Sequence, residues 1–245
     1  MLQSLDTRGK LFLTLSALFV SALLVGDLIG GKLFEANVLG FTVRYSVGII
    51  PFPLTFLLTD LLNEFYGKRA ARVVTWVGFA MALFTFGVVT LAVALPWDPV
   101  TQEPGWSGIT QPAFDTVFGG GQRILAASMV AYLAAQFVDI AVFAKVKAVT
   151  GGRLLWLRAT GSTLVSQLID TALIQALAWV GVLPAEKVLS LIVASYVTKL
   201  VVAVGLTPVI YAGHAVMERV LGIPAVRLDA QGEVLAEPAP VPRAP

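Results

Sequence analysis

Long apolar blocks alternate along the chain with short polar connectors, and the length of the blocks carries the first inference. A run of about 18 or more nearly uncharged residues can cross the hydrocarbon of a bilayer as a helix, which rises about 1.5 Å per residue. Such runs fall at roughly residues 11–31, 46–66, 71–95, 123–145, 159–181 and 188–218. They predict an all-α membrane protein, a bundle of six transmembrane helices within residues 1–222. Residues 223–245 are rich in Pro and Ala and are expected to form a disordered cytoplasmic tail.

The connectors refine this picture. Pro51 and Pro53 each remove an amide donor, which predicts a kinked or broken second span. Residues 36–47 alternate Val38, Phe41, Val43, Tyr45 and Val47 around Leu39-Gly40, the pattern of a short external hairpin between spans one and two. Residues 96–121, with four prolines and Gly119-Gly120-Gly121, read as a polar external loop. Arg8 and Lys10 precede an apolar stretch, as in a cleavable leader. That stretch is too long and lacks a small-x-small site, so it reads as a retained span.

Composition agrees. The 245 residues are 57% apolar and 13% charged, with a mean hydropathy of +0.84, whereas a soluble domain carries about 25% charged residues. The absence of cysteine excludes disulfides, thiolate metal sites and cysteine catalysis. Net charge is only +2, and the basic residues sit at helix ends, so no nucleic-acid partner is expected. Twelve of the 17 Lys and Arg residues fall on the side of the two termini and the second and fourth loops; four fall on the other side and Lys199 lies within a span. The positive-inside rule then predicts a multi-pass protein with both termini cytoplasmic.

Ionisable residues inside the spans are the informative ones, because each costs about 2.5–3.5 kcal/mol at the helix centre. Asp27, Asp60, Asp139, Asp170 and Lys199 are therefore expected to face a protein interior or a hydrated cavity. In span two, Asp60, Asn63, Glu64 and Gly67 share one helix face. Gln136 and Asp139 in span four, and Gln167 and Asp170 in span five, repeat a Gln-x-x-Asp spacing, while Ser162, Ser166 and Asp170 line up one turn apart. Lys199 and Asp170 lie at similar depth, so an ion pair is the cheapest way to hold both. Asp27, near an external helix end, and His214, near the cytosolic end of span six, carry less weight.

Carboxylates, amides and serines converging in a cavity suit a small ligand with a donor–acceptor edge, of which a purine-like heterocycle is one kind. Phe52, Phe56, Phe65 and Phe137 are placed to stack on a flat ring or simply to pack. No G-x-x-x-x-G-K-[ST] loop is present, so no ATPase is built in. A transporter rather than an enzyme follows, with proton coupling as the simplest drive and no cofactor, catalytic residue or metal site. Two alternatives stand beside it: a substrate-binding subunit of an ATP-driven vitamin-type uptake system, and, far behind, an intramembrane hydrolase using Ser162 or Ser166 with His214. A homo-oligomer is left open.

The segment Phe52 to Lys68, FPLTFLLTDLLNEFYGK, resembles the YhhQ family of queuosine precursor transporters, formerly described as a vitamin uptake family. So do Gln136-Phe-Val-Asp139, the stretch LWLRATGSTLVSQLIDT ending at Thr171, and Lys199 with Thr207-Pro208 and Tyr211. The resemblance covers about residues 10–220. It implies import of 7-cyano- or 7-aminomethyl-7-deazaguanine, or a related base, for tRNA modification. It also implies substrate contacts from Asp60, Asn63, Glu64, Gln136, Asp139, Gln167, Asp170 and Lys199. Ser166 joins these as the middle residue of the Ser162, Ser166, Asp170 line on one helix face. Position 27 is Asp where a neutral Asn is expected of many members.

Overall fold

A computed structural model of the chain describes residues 6–30, 32–38, 41–119, 122–151 and 153–227 together with Val234. The described elements are mostly helical. Helix α1 (Thr7–Ile29) starts where the Asp6 side chain accepts the Gly9 amide at 2.8 Å, an N-cap that satisfies one of the open amides of the first turn. Strands β1 (Leu33–Val38) and β2 (Phe41–Ser46) pair antiparallel with Val38 opposite Phe41. The pairing begins three residues earlier than the alternation in the sequence.

Helix α2 runs from Phe52 to Ala94, but its backbone leaves the helical region at Gly67 (φ 80°, ψ 170°). A straight helix of 43 residues would be about twice the thickness of the hydrocarbon. The contacts with α1 show what happens instead. Along the first arm, residues 52–66, numbers run opposite: Phe12 stacks on Tyr66 at 5.1 Å, and a Cβ on Gly26 would stand 3.1 Å from the Pro51 ring. Along the second arm, residues 68–94, numbers run together: Gly78 faces Phe19 and Leu23, and Asp27 lines one cavity with Ala82, Thr85 and Phe86. The chain therefore reverses at Gly67. Pro51 and Pro53 do not break this helix; they stand at its start, where a missing amide donor costs nothing.

After the loop come a short helix α3 (Gln111–Phe114), then α4 (Gln122–Val149) and α5 (Leu155–Trp179). The loop is held partly by Trp97 against Phe114 at 5.6 Å. Helices α4 and α5 pack antiparallel, Asp139 against Ser166 near the middle and Arg123 against the Leu177 carbonyl at one end. Fully buried Ala131, Ala159 and Ser162 let their backbones approach closely. Helix α6 (Ala185–Gly205) runs back along α5, Ser195 meeting Gln175 and Lys199 meeting Asp170. It stops at Leu206, and α7 (Thr207–Ala215) restarts with Pro208 in its first turn. The expected sixth span, 188–218, falls within one apolar stretch, Ala185–Val220, whose helical hydrogen bonding is interrupted at Leu206 (φ −81°, ψ −10°), where Pro208 has no amide to donate.

The distribution of polarity is inverted relative to a water-soluble fold. Leu91, Phe84 and Val201 are more than 60% exposed, while Asp60, Asn63, Glu64, Asp139 and Arg158 are at most 3% exposed. Four stretches, Thr7–Ile29, Val47–Ala94, Leu125–Val149 and Ala185–Val220, are long and apolar enough to cross a membrane. Helix α5 is long enough, with 25 residues, but it is the polar centre post: Arg158, Ser162, Thr163, Ser166, Gln167 and Thr171 are all buried on it. The chain is a multi-pass membrane protein whose polar side chains point inward.

The beginning of the expected tail is packed. Ile223 and Val226 are buried, and the Val226 amide donates to the Glu64 carbonyl at 3.1 Å. Residues 223–227 therefore belong to the helical body, because they cover the helix end created by the Gly67 reversal. The expected tail beyond them, Val234 excepted, lies outside the described residues.

Candidate functional site

The reversal at Gly67 leaves the last carbonyls of the first α2 arm without intrahelical partners. Cations and one amide fill the gap. Lys147 Nζ donates to the Glu64 carbonyl at 2.8 Å, joining the Val226 amide there, and Arg8 donates to the Phe65 carbonyl at 2.7 Å. Positive groups at a helix C-terminus also oppose its dipole favourably.

The Glu64 side chain is bound just as fully. Arg158 grips both carboxylate oxygens, Nε on Oε2 at 2.9 Å and Nη2 on Oε1 at 2.7 Å. Lys147 Nζ reaches Oε2 at 2.9 Å, and His214 Nε2 lies 3.4 Å from Oε1. Glu64 was expected to contact substrate. Its carboxylate is instead the anion of a closed four-residue clamp joining α2, α4, α5 and α7. Lys147 and Arg158, which flank apolar runs in the sequence and read there as loop charges, are 4% and 1% exposed.

One turn back along α2 the polarity changes character. Asp60 and Asn63 face Asp139 of α4 and Ser166 of α5. Asn63 Nδ2 donates to the Ile140 carbonyl at 3.2 Å, and Ser166 Oγ donates to Asp139 Oδ1 at 3.0 Å. Asp60 lies within electrostatic reach of Asp139, Glu64 and Arg158, and Ser162 also borders Asp139. Among the described residues, both Asp60 oxygens, Asn63 Oδ1 and Asp139 Oδ2 are buried without a hydrogen-bond partner. Gln136 Oε1, Gln167 Oε1 and Thr171 Oγ1 on the same two helices are likewise unpartnered. Unmet acceptors in a dry interior are costly, about 1–3 kcal/mol each, and their concentration in one place points to a role other than packing.

Asp170 and Lys199 form a separate pair at 2.5 Å, each side chain 19% exposed. Lys199 Nζ also sits 5.0 Å from the centroid of Phe52, whose ring packs edge-on against Phe56. Asp27 accepts from Ser128 Oγ at 3.1 Å and lies within electrostatic reach of Asp170. Of the other aromatics named from the sequence, Phe65 packs on His214 and Phe137 on Trp76.

Three layers thus stack along the bundle: the Glu64 clamp, the acceptor-rich centre, and the half-buried Asp170–Lys199 pair. Asp60, Asn63, Asp139, Ser166, Gln136 and Gln167 fall in or beside the middle layer; Glu64 falls on one side of it, and Asp170 with Lys199 on the other. The centre is closed on itself. A cleft of about 420 Å³ lies elsewhere, by the Gly67 reversal, lined by Arg8, Phe12, Tyr66, Arg69, Ala70, Val226 and Val234.

A family described as "Putative vitamin uptake transporter" matches residues 46–213. A Bacillus subtilis (strain 168) protein named "Probable queuosine precursor transporter" is 36% identical over 173 residues, covering 70% of this chain and 72% of that protein. The Escherichia coli (strain K12) "Queuosine precursor transporter" is 29% identical over 135 residues, 55% of this chain and 54% of that protein. No solved structure matches the chain.

Proposed function

The chain belongs to the vitamin-uptake family that contains the queuosine precursor transporters, and on that premise we propose that it moves a 7-deazaguanine precursor of queuosine across the membrane into the cytoplasm. The observation that carries the reading is the set of orphaned acceptors on Asp60, Asn63 and Asp139, buried at the middle of a bundle that is apolar outside. A guanine-like base presents N–H donors along one edge, and a carboxylate accepts two of them in parallel.

Six crossings fit the contacts. Directions alternate from α1 through the two arms of α2, then α4, α5 and α6–α7, so the start of α1 and the segment at Val226 lie at one end. The clamp end also carries Arg8, Lys68, Arg69, Arg153 and Arg227, which favours that end as cytoplasmic and the cytoplasmic membrane as the setting. The clamp then closes the inner side and the Asp170–Lys199 pair guards the outer side. Substrate enters when the outer pair opens and leaves when the clamp opens, with the Gly67 and Leu206 interruptions as hinges. Proton coupling through the central acids supplies the drive. The partner implied is a small molecule within the bilayer-embedded bundle.

The test is uptake of a labelled 7-deazaguanine precursor by cells lacking other routes. Wild type should import it, and Asp60→Asn should lose most of the activity while reaching the membrane normally. No import by wild type removes the ligand assignment; full import by the variant removes Asp60 from the site. Collapse of the proton gradient in vesicles should abolish accumulation, and unchanged accumulation removes the coupling.

A further inference from the structure

The closed centre is short of donors. Asp60 offers two carboxylate oxygens, Asp139 one and Asn63 its Oδ1, all without a hydrogen-bond partner among the described residues. The assignment at Asn63 is fixed by its neighbours: Nδ2 is spent on the Ile140 carbonyl, so the free atom is the oxygen. Each of these residues is at least 97% buried. The hydroxyls alongside are already donating, Ser166 to Asp139, Ser162 to the Ala159 carbonyl and Thr59 to the Thr55 carbonyl. The cations at either end are committed, Arg158 and Lys147 to Glu64 and Lys199 to Asp170.

Such a site treats two kinds of ligand unequally. An acceptor atom, such as a nitrile nitrogen, would be desolvated against oxygens that repel it. An ammonium would meet up to four acceptors on two carboxylates and one amide, in charge-assisted hydrogen bonds that a dry interior strengthens. Alkylamines are protonated at neutral pH, with a reference pKa of about 10.4.

We propose that this transporter selects a planar base bearing a cationic amine substituent over the neutral nitrile analogue, with the ammonium seated against Asp60 and Asp139. This rests on the transport reading above and names the charge of its substrate. It makes the central acids specificity-determining residues rather than general polar lining.

Competition uptake into proteoliposomes of the purified full chain tests it. Labelled 7-aminomethyl-7-deazaguanine is competed with itself and with 7-cyano-7-deazaguanine. The amine should compete at a concentration at least about tenfold below that of the nitrile, the scale of one charge-assisted hydrogen bond. Asp139→Asn should narrow that ratio to about threefold or less by weakening the amine. Equal competition in wild type, or a nitrile preference, overturns the selection while leaving transport standing. An unchanged ratio in Asp139→Asn overturns the role of the acids, and if that variant fails to fold or to import, the wild-type ratio still decides. Uptake of neither base ends the transport reading, and this inference with it.

Discussion

Neutralising Glu64 tests the clamp most directly. Glu64→Gln leaves Arg158 and Lys147, 1% and 4% exposed, without the anion they hold at 2.7 to 2.9 Å. Removing one partner of a buried ion pair costs about 3–5 kcal/mol, because the other charge stays buried and unmet. For a chain of this size about 1 kcal/mol moves the melting midpoint by about 2–4 °C, so the loss should be about 6–20 °C. Arg158→Met should do similar damage, since only Lys147 and the more distant His214 are left to meet Glu64. The double variant should fall short of the sum by about 0.5–3 kcal/mol, because each change removes the partner that the other strands. Lys147 retains the Glu64 carbonyl at 2.8 Å in every case. Thermal unfolding of the purified protein in detergent, followed by tryptophan fluorescence, reads all four corners of the cycle. A Glu64→Gln midpoint within about 2 °C of wild type, or strict additivity, would refute the clamp as an energetic unit.

Three further outcomes are expected. Gly67→Ala forces a side chain into a conformation tolerated almost only by glycine, at about 1–3 kcal/mol, and its Cβ would lie 2.7 Å from the Val234 side chain. Its melting midpoint should drop clearly, and an unchanged midpoint would deny that the reversal is needed. Lys199→Met should leave the midpoint within a few degrees, since the pair is partly exposed, yet lower uptake at least about tenfold. Wild-type uptake would make the pair merely structural. Val226→Pro deletes the amide bound to the Glu64 carbonyl and should cost about 1 kcal/mol by thermal denaturation, whereas Val226→Ala, which keeps that amide, should cost less.

Block length and charge placement made the membrane character readable from the sequence, because hydrocarbon admits so few solutions for a polar backbone. The pairing of Asp170 with Lys199 was legible too, since two opposite charges at one depth have little else to do. Local rules failed where the answer was tertiary. Gly67 continues the Asp60 face at helical spacing, yet it falls in the short gap between the apolar blocks at 46–66 and 71–95, so the turn was legible in the block pattern while its exact residue was not. Pro51 and Pro53 signal a break or a beginning equally well, and it is the β1–β2 hairpin upstream that makes them a beginning. Arg158 carried a usable signal: it stands four residues before Ser162, extending the ladder through Ser166 to Asp170. Its partner, Glu64, lies 94 residues away in the chain, a distance no periodicity spans.

Glu64 is held at both its carbonyl and its carboxylate, and Lys147 touches the two at once. Through this residue α2, α4, α5, α7 and the segment at Val226 share a single point of attachment. None of them can withdraw by a small amount without disturbing the others' bonds. The clamp end of the bundle should therefore switch between two discrete arrangements, open or shut, with few stable positions in between, and its leak in the shut arrangement should be correspondingly small.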